Sequence, residues 1–183
     1  MLGAACVLHS RSDISDRVWT LILRTKTVNV ITERRANAFR ALLDQGRPEF
    51  LGEVSSTRRK EFAAALNLEV GQLSKNFPLE VVSTGLQYLI VPIETGLDRA
   101  RIVRPNFEAL LRTVNAQFAY VLDVHELEGR HWNNDGVTED VATGSAAGTV
   151  GAYLTKHGRI PAGEEFVLRQ GPVLGPSERN PRA

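Results

Sequence analysis

Two adjacent carboxylates, Glu139 and Asp140, stand shortly before Thr143-Gly144-Ser145, and the ten residues from Ser145 to Leu154 carry no charge. Thr143 or Ser145 is suited to cap a helix, because a hydroxyl can accept a bond from an orphan N–H of the first turn. The stretch that follows has helix length and no polar face, which predicts a helix buried on every side. Gly144, Gly148 and Gly151 cost about 1 kcal/mol each relative to alanine, and packing must offset that cost. The start of such a helix offers unpaired amides and the positive end of a dipole to an anion. Asp140 would lie beside any anion held there. Burial and a neighbouring negative charge both raise a carboxyl pKa, which suits Asp140 to carrying a proton. The plainer alternative is that Asp140 only steadies the helix start.

Leu2-Gly3-Ala4-Ala5-Cys6-Val7-Leu8 is a fainter copy of this element, again uncharged and rich in small residues. Two such segments hint at an internal two-fold repeat, each half with its own buried helix.

Glu139-Asp140-x-Ala142-Thr143-Gly144-Ser145-Ala146-Ala147-Gly148, then Gly151-Ala152-Tyr153-Leu154 and His157-Gly158, resembles the signature of the phenazine-biosynthesis PhzF-like family. Further matches fall in that family's order. They are Leu2-Gly3-Ala4-Ala5, Val82-Ser83-Thr84-Gly85 with Leu89-Ile90-Val91-Pro92, and Gln170-Gly171 with Gly175-Pro176-Ser177.

The resemblance implies an α+β, diaminopimelate-epimerase-like fold: two mixed, barrel-like β halves, each around a central helix, with the active site in the cleft between them. The expected domains are residues 1–53, an incomplete first half, and 54–183, with its central helix at about 144–156 and its final strands missing. The implied activity is a cofactor-independent isomerase or epimerase that moves a proton on a small carboxylic acid. In this chain Asp140 would be the catalytic residue, and the backbone N–H groups of Gly144, Ser145 and Ala146 would hold the substrate carboxylate. The family's type substrate is a dihydro-hydroxyanthranilate, and the resemblance assigns none to this chain.

The departures from the family pattern matter too. Met1 stands where the family's Gly-His-Pro-Thr would lead into the first helix, and the family's principal glutamate belongs to a still earlier segment. Val141 stands where the family usually has proline. Two further readings follow: a catalytically inactive, truncated remnant, or a protein that self-associates through exposed strand edges. Residues 1–50 are expected to be the least stable part, since few strands are left to wrap the first helix.

Composition fits a cored protein. Of 183 residues 43% are hydrophobic, and 22 Lys+Arg against 21 Asp+Glu leave a formal charge of +1. That balance gives no electrostatic case for a nucleic acid or an anionic membrane. No run of apolar residues is long enough for a transmembrane helix, and no signal-peptide pattern opens the chain, which reads as cytoplasmic. A single cysteine, Cys6, excludes an internal disulfide and the two-cysteine chemistry of the epimerase relatives. It reads as buried filler. His125, His131 and His157 lack metal-ligand spacing, so neither a metal nor a cofactor is expected. Gly144-Ser145-x-x-Gly148 is no phosphate loop, and Ser145 lacks the Gly-x-Ser-x-Gly elbow of a serine hydrolase. The expected partner is a small organic acid, with a homodimer possible.

In chain order, residues 1–10 read as the first buried helix. Strands are expected at 18–23 and 27–32, joined by a tight turn at 24–26. Residues 34–46 fit a helical period, yet the family pattern favours a strand toward their end. Residues 47–54 read as a linker. A helix capped by Ser55 or Ser56 should run to Leu66, with Phe62, Ala63, Ala65 and Leu66 inward. Strands follow at 79–82 and 87–93, where Pro92 suggests an edge or a strand terminus. Residues 106–114 read as an amphipathic helix and 118–124 as a strand. The spacing then predicts a loop at 126–139, in which Arg130-His131-Trp132 either lines a pocket or forms a strand edge. A short strand at 166–168 and a loose tail from Gly175 complete the expectation.

Overall fold

A computed structural model describes residues 1–23 and 27–171. The turn expected at 24–26, the tail and the Gly175-Pro176-Ser177 match lie outside the described residues. The chain divides into two units, Met1–Arg47 and Pro48–Ala183.

The first unit contains helix α1 (Leu2–Ser10) and strands β1 (Asp16–Ile22), β2 (Thr27–Arg35) and β3 (Ala38–Leu43), which pair antiparallel in the order β1-β2-β3. β2 alternates as a half-buried strand should, with Val28, Val30 and Thr32 inward. Thr32 Oγ1 accepts the Trp19 indole N–H at 2.8 Å. His9 is fully buried, and its Nε2 donates to the Ile14 carbonyl at 2.8 Å. Helix α1 is not the buried rod expected. Only Ala5 and His9 are buried; Met1, Leu2, Val7 and Leu8 are exposed and Cys6 is half-buried. The sheet of three strands covers one side of the helix and leaves the other to solvent. The helical period at 34–46 is also misleading, since the segment enters β3 through a turn. Its pairing with β2 decides the conformation.

The second unit is built on a sheet of order β10-β8-β7-β6-β5-β4, with β9 alongside β8. Its strands are β4 (Glu49–Glu53), β5 (Glu80–Ser83), β6 (Gln87–Ile93), β7 (Phe118–Asp123), β8 (Glu128–Trp132), β9 (Glu139–Asp140) and β10 (Arg169–Gln170). Helices α2 (Arg59–Ala65) and α3 (Phe107–Arg112) supply one apolar layer, with Phe62, Leu66, Phe107 and Leu111 packed against Val81, Leu89, Val91 and Val121. Helix α4 (Gly144–Lys156) supplies the other, with Ala146, Val150, Tyr153 and Leu154 against Val82, Tyr88, Ile90 and Tyr120. Both faces of β5 and β6 are therefore buried, which is why β6 is apolar from Tyr88 to Ile93, whereas β5 sets Val81 and Val82 between the buried polar residues Glu80 and Ser83.

The supposed linker at 47–54 contains β4, which pairs with β5 and so belongs to the second unit rather than the first. Of the two alternatives for Pro92, the strand terminus holds and the edge does not: it is the penultimate residue of the interior strand β6. The β5 ladder ends at Ile90, so the missing N–H of Pro92 lies beyond that pairing, and the Pro92 carbonyl accepts the Ser74 amide at 2.9 Å. The supposed loop at 126–139 holds β8 and β9. Its turn places Gly136 at φ +72°, and the Asn133 amide donates to the Thr138 carbonyl at 2.9 Å. Charged residues along Glu128-Gly129-Arg130 hid the strand. Gly129 is required there, because a Cβ would come within 2.1 Å of the Tyr120 ring. Residues 166–168 form no strand; β10 follows them and pairs parallel to β8. Neither serine caps α2 through its side chain, and Ser56–Arg58 is a single 3₁₀ turn ahead of it.

Helix α4 likewise departs from an all-round burial. Ala146, Thr149, Val150, Tyr153 and Leu154 are buried, whereas Ala147, Gly148, Gly151 and Ala152 are half-exposed. The described sheet covers one side of it. Gly151 brings the Phe166 ring to the other side, 3.4 Å from where a Cβ would stand.

The thin cover of the first unit predicts its behaviour. Limited proteolysis should cut first within residues 1–47 and leave a resistant fragment beginning near Pro48, as read by mass spectrometry. A resistant core containing α1 would contradict this.

Candidate active site at the start of α4

β9 carries two carboxylates with opposite fates. Glu139 is neutralised by Arg130, whose Nε and Nη2 donate at 2.7 and 2.6 Å in a largely buried bidentate pair. Arg130 Nη1 donates to the carbonyls of Leu97, Asp98 and Ala100, each at 3.0 Å. The pair is a structural brace. Asp140 takes part in no ion pair among the described residues and is held by neutral donors instead.

Those donors come from the segment that turns into α4. The Thr143 hydroxyl donates to Asp140 Oδ2 at 2.7 Å, and the Ala142 amide donates to Oδ1 at 3.0 Å. Thr143 is the residue before α4, yet it makes no side-chain cap; its hydroxyl serves Asp140. Gln170 on β10 locks the turn. Its Nε2 donates to the Asp140 carbonyl at 2.5 Å and to Thr143 Oγ1 at 2.8 Å, while its Oε1 accepts the Thr143 amide at 3.2 Å. The hydrogen bonds from Thr143 and then from Ala142 hold the Asp140 carboxyl below its ordinary value, outweighing burial, with nearby His131 adding to the effect. The donors around this carboxylate outweigh its desolvation, so burial alone does not raise its pKa.

Of the three residues named for anion binding, Gly144 is exposed and Ser145 half-buried at the first turn of α4. Ala146 is fully buried, and its amide donates to the Thr143 carbonyl at 3.0 Å. That amide is engaged within the turn. The Ser145 hydroxyl meets the Tyr88 hydroxyl at 2.8 Å. His131 stands directly across the ladder from Asp140, is buried, and donates from Nδ1 to the Ala119 carbonyl at 2.9 Å. The rings of Tyr88, Phe118 and His131 pack together, 5.5 to 5.7 Å between centroids. Of Arg130-His131-Trp132, then, His131 reaches this cluster and Arg130 braces β9. Among the described residues no group of His, Cys, Asp and Glu is arranged to hold a metal ion.

The sequence had pointed to Asp140, Gly144, Ser145 and Ala146. It gave no signal for Tyr88, which lies 57 residues before Ser145 and meets it only through the packing of α4 on β6. Gln170 was visible as part of a motif but not as the lock on Asp140.

A mixed sheet with an apolar helix against it, and a carboxylate beside the helix start, defines an α+β protein of the diaminopimelate-epimerase-like fold. The chain belongs to the PhzC-PhzF family, described as phenazine biosynthesis-like protein, whose model matches residues 1–179. It is 31% identical to trans-2,3-dihydro-3-hydroxyanthranilate isomerase of Pseudomonas aeruginosa, over all of this chain and 64% of that one. It is 28% identical to the uncharacterized isomerase YddE of Escherichia coli, over 86% of this chain and 56% of that protein. A solved structure of a predicted epimerase from Pseudomonas aeruginosa superposes with a TM-score of 0.87 at 44% identity, covering 91% of this chain and 59% of its own. The phenazine biosynthesis protein of the PhzF family from Bacillus anthracis superposes at 0.62 with 25% identity, covering 84% and 55%. The chain therefore spans less than two thirds of the length of these relatives. Among the described residues no helix is long and apolar enough to cross a membrane.

Proposed function

We infer that the chain carries a proton-transfer site of an isomerase or epimerase acting on a small carboxylic acid, without a cofactor. The observation that supports this most is Asp140: a carboxylate kept ionised by two neutral hydrogen bonds, beside the first turn of a 13-residue helix. An ionised carboxylate is a proton acceptor. Gly144 and Ser145, at the positive end of the helix dipole, are the groups to take the substrate carboxylate. A bound anion would in turn raise the Asp140 pKa, so that the proton it accepts can be returned. The Ala146 amide, which donates to the Thr143 carbonyl, serves the turn in this reading.

The test is deuterium uptake from heavy water into trans-2,3-dihydro-3-hydroxyanthranilate, the compound in the Pseudomonas relative's name, and into simpler unsaturated carboxylic acids. Uptake above the buffer rate supports the reading. No uptake with any of them favours the non-catalytic remnant.

A second reading concerns assembly. Val18, Ile31 and Leu42 are aligned in one row across β1, β2 and β3 and are all exposed. Such a row supports self-association through the first unit. Sedimentation should show a mass that rises with concentration, and Ile31→Lys should abolish the rise; a constant monomer mass would refute it.

A further inference from the structure

We propose that Tyr88 is a positioning residue that turns the Ser145 hydroxyl into a fixed hydrogen-bond donor for the carboxylate of the substrate. This rests on the reading of the α4 start as the carboxylate site.

Tyr88 is 2% exposed, and its hydroxyl has one hydrogen-bond partner among the described residues, Ser145 Oγ at 2.8 Å. Two hydroxyls at that distance share one proton, so one of them must donate. If Ser145 donated, the phenol proton would be left buried and unpaired, which costs about 1–3 kcal/mol. If Tyr88 donates, both needs are met: the phenol is satisfied, and the Ser145 proton is left for another acceptor. Ser145 is half-buried, so that acceptor can come from solvent or from a ligand. The phenol stays neutral, because burial raises its pKa by more than the hydrogen bond to Ser145 lowers it, and the charge of Asp140 adds a smaller upward effect. Its ring cannot swing away. Phe118 and His131 flank it at 5.5 and 5.6 Å, and His131 is itself tied to the Ala119 carbonyl.

The consequence is a donor of fixed direction at the helix start, next to Asp140. A hydrogen bond to an ionised acceptor is about twice as strong as one between neutral groups. A donor fixed in this way should therefore discriminate a carboxylate from the corresponding amide.

The experiment uses the whole chain with two probes, 2-aminobenzoate and 2-aminobenzamide, by calorimetric titration. Wild type should prefer the carboxylate. Tyr88→Phe, which removes one oxygen and keeps the ring, should weaken 2-aminobenzoate binding about 10-fold and change 2-aminobenzamide binding less than about 2-fold. Ser145→Ala should cost about as much, and adding Tyr88→Phe to Ser145→Ala should cost nothing more. A tyrosine that merely supports the fold would weaken both probes alike and would add to Ser145→Ala; that result overturns the proposal. So does unchanged 2-aminobenzoate affinity in Tyr88→Phe when Ser145→Ala weakens it. If wild type binds neither probe, the carboxylate site itself fails and the proposal falls with it.

Discussion

Asp140→Asn is expected to lower deuterium uptake into the carboxylic acid substrate by about 10²–10⁴-fold, the usual contribution of a positioned general base. The substitution keeps the size of the side chain and one accepting oxygen, which can still take the Ala142 amide, and Gln170 continues to hold the Thr143 backbone, so the turn into α4 should persist. What it removes is the basic oxygen. The pH dependence gives a sharper check. The Thr143 hydroxyl, then the Ala142 amide, holds the Asp140 carboxyl below its ordinary value. The ionised, accepting form of the free protein therefore survives to lower pH than an unassisted aspartate would, and uptake at limiting substrate should fall only as the pH drops through that depressed value. Thr143→Val removes the larger of the two donors and should move this acid limb upward. The sign for stability is the same. The hydrogen bonds stabilise the fold above the unfolded-state pKa, and that contribution is lost as pH falls through the folded-state one. Unchanged uptake in Asp140→Asn would remove Asp140 from the mechanism.

The chemistry of this site was legible because it is local. Asp140, Thr143, Gly144 and Ser145 lie within six residues, and their types alone specify a carboxylate, a hydroxyl and a helix start. The carboxylate's protonation preference was not legible, since it depends on which donors fold onto it. Glu139 and Asp140 look alike in the sequence and are separated only by Arg130, which β8 brings to one and not the other. The strands β6 and β7 could be read from nearly unbroken apolar runs, a pattern that burial on both faces enforces, and β5 from Leu79, Val81 and Val82 ahead of the Thr84-Gly85 turn. β4 and β8 could not. β4 is exposed along its length, and β8 mixes charged residues with glycine, so pairing with neighbours rather than composition makes them strands. The two apolar helices were read correctly as helices, but which of their residues are buried was not legible. An absent polar face says that apolar side chains need cover; the described sheets supply that cover on one side of each.

At the other end of α4, replacing Lys156 by Met and His157 by Phe together is expected to destabilise the fold by about 3–5 kcal/mol. The reason lies in Glu80, whose side chain is 2% exposed and faces both residues. Lys156 forms an ion pair with it, and His157 Nε2 meets its second oxygen at 2.8 Å. The same two residues are packed: Lys156 lies over the Phe50 ring, with Nζ 4.5 Å from its centroid, and the His157 ring is 4.6 Å from that of Tyr153. Methionine and phenylalanine retain much of that packing and remove both polar partners, leaving a buried carboxylate with neither. Breaking a buried pair from this side is costly because the remaining charge has no route to water. Breaking it from the other side should be milder. Glu80→Gln leaves Lys156, whose side chain is 38% exposed and can turn to solvent. Adding Glu80→Leu to the double variant should recover most of the loss, since a well-packed apolar group in place of a buried ionic cluster is often neutral or stabilising. Urea unfolding of the four proteins measures this directly. A double variant within about 1 kcal/mol of wild type would mean that solvent reaches Glu80, and that the C-terminal end of α4 is held by packing alone.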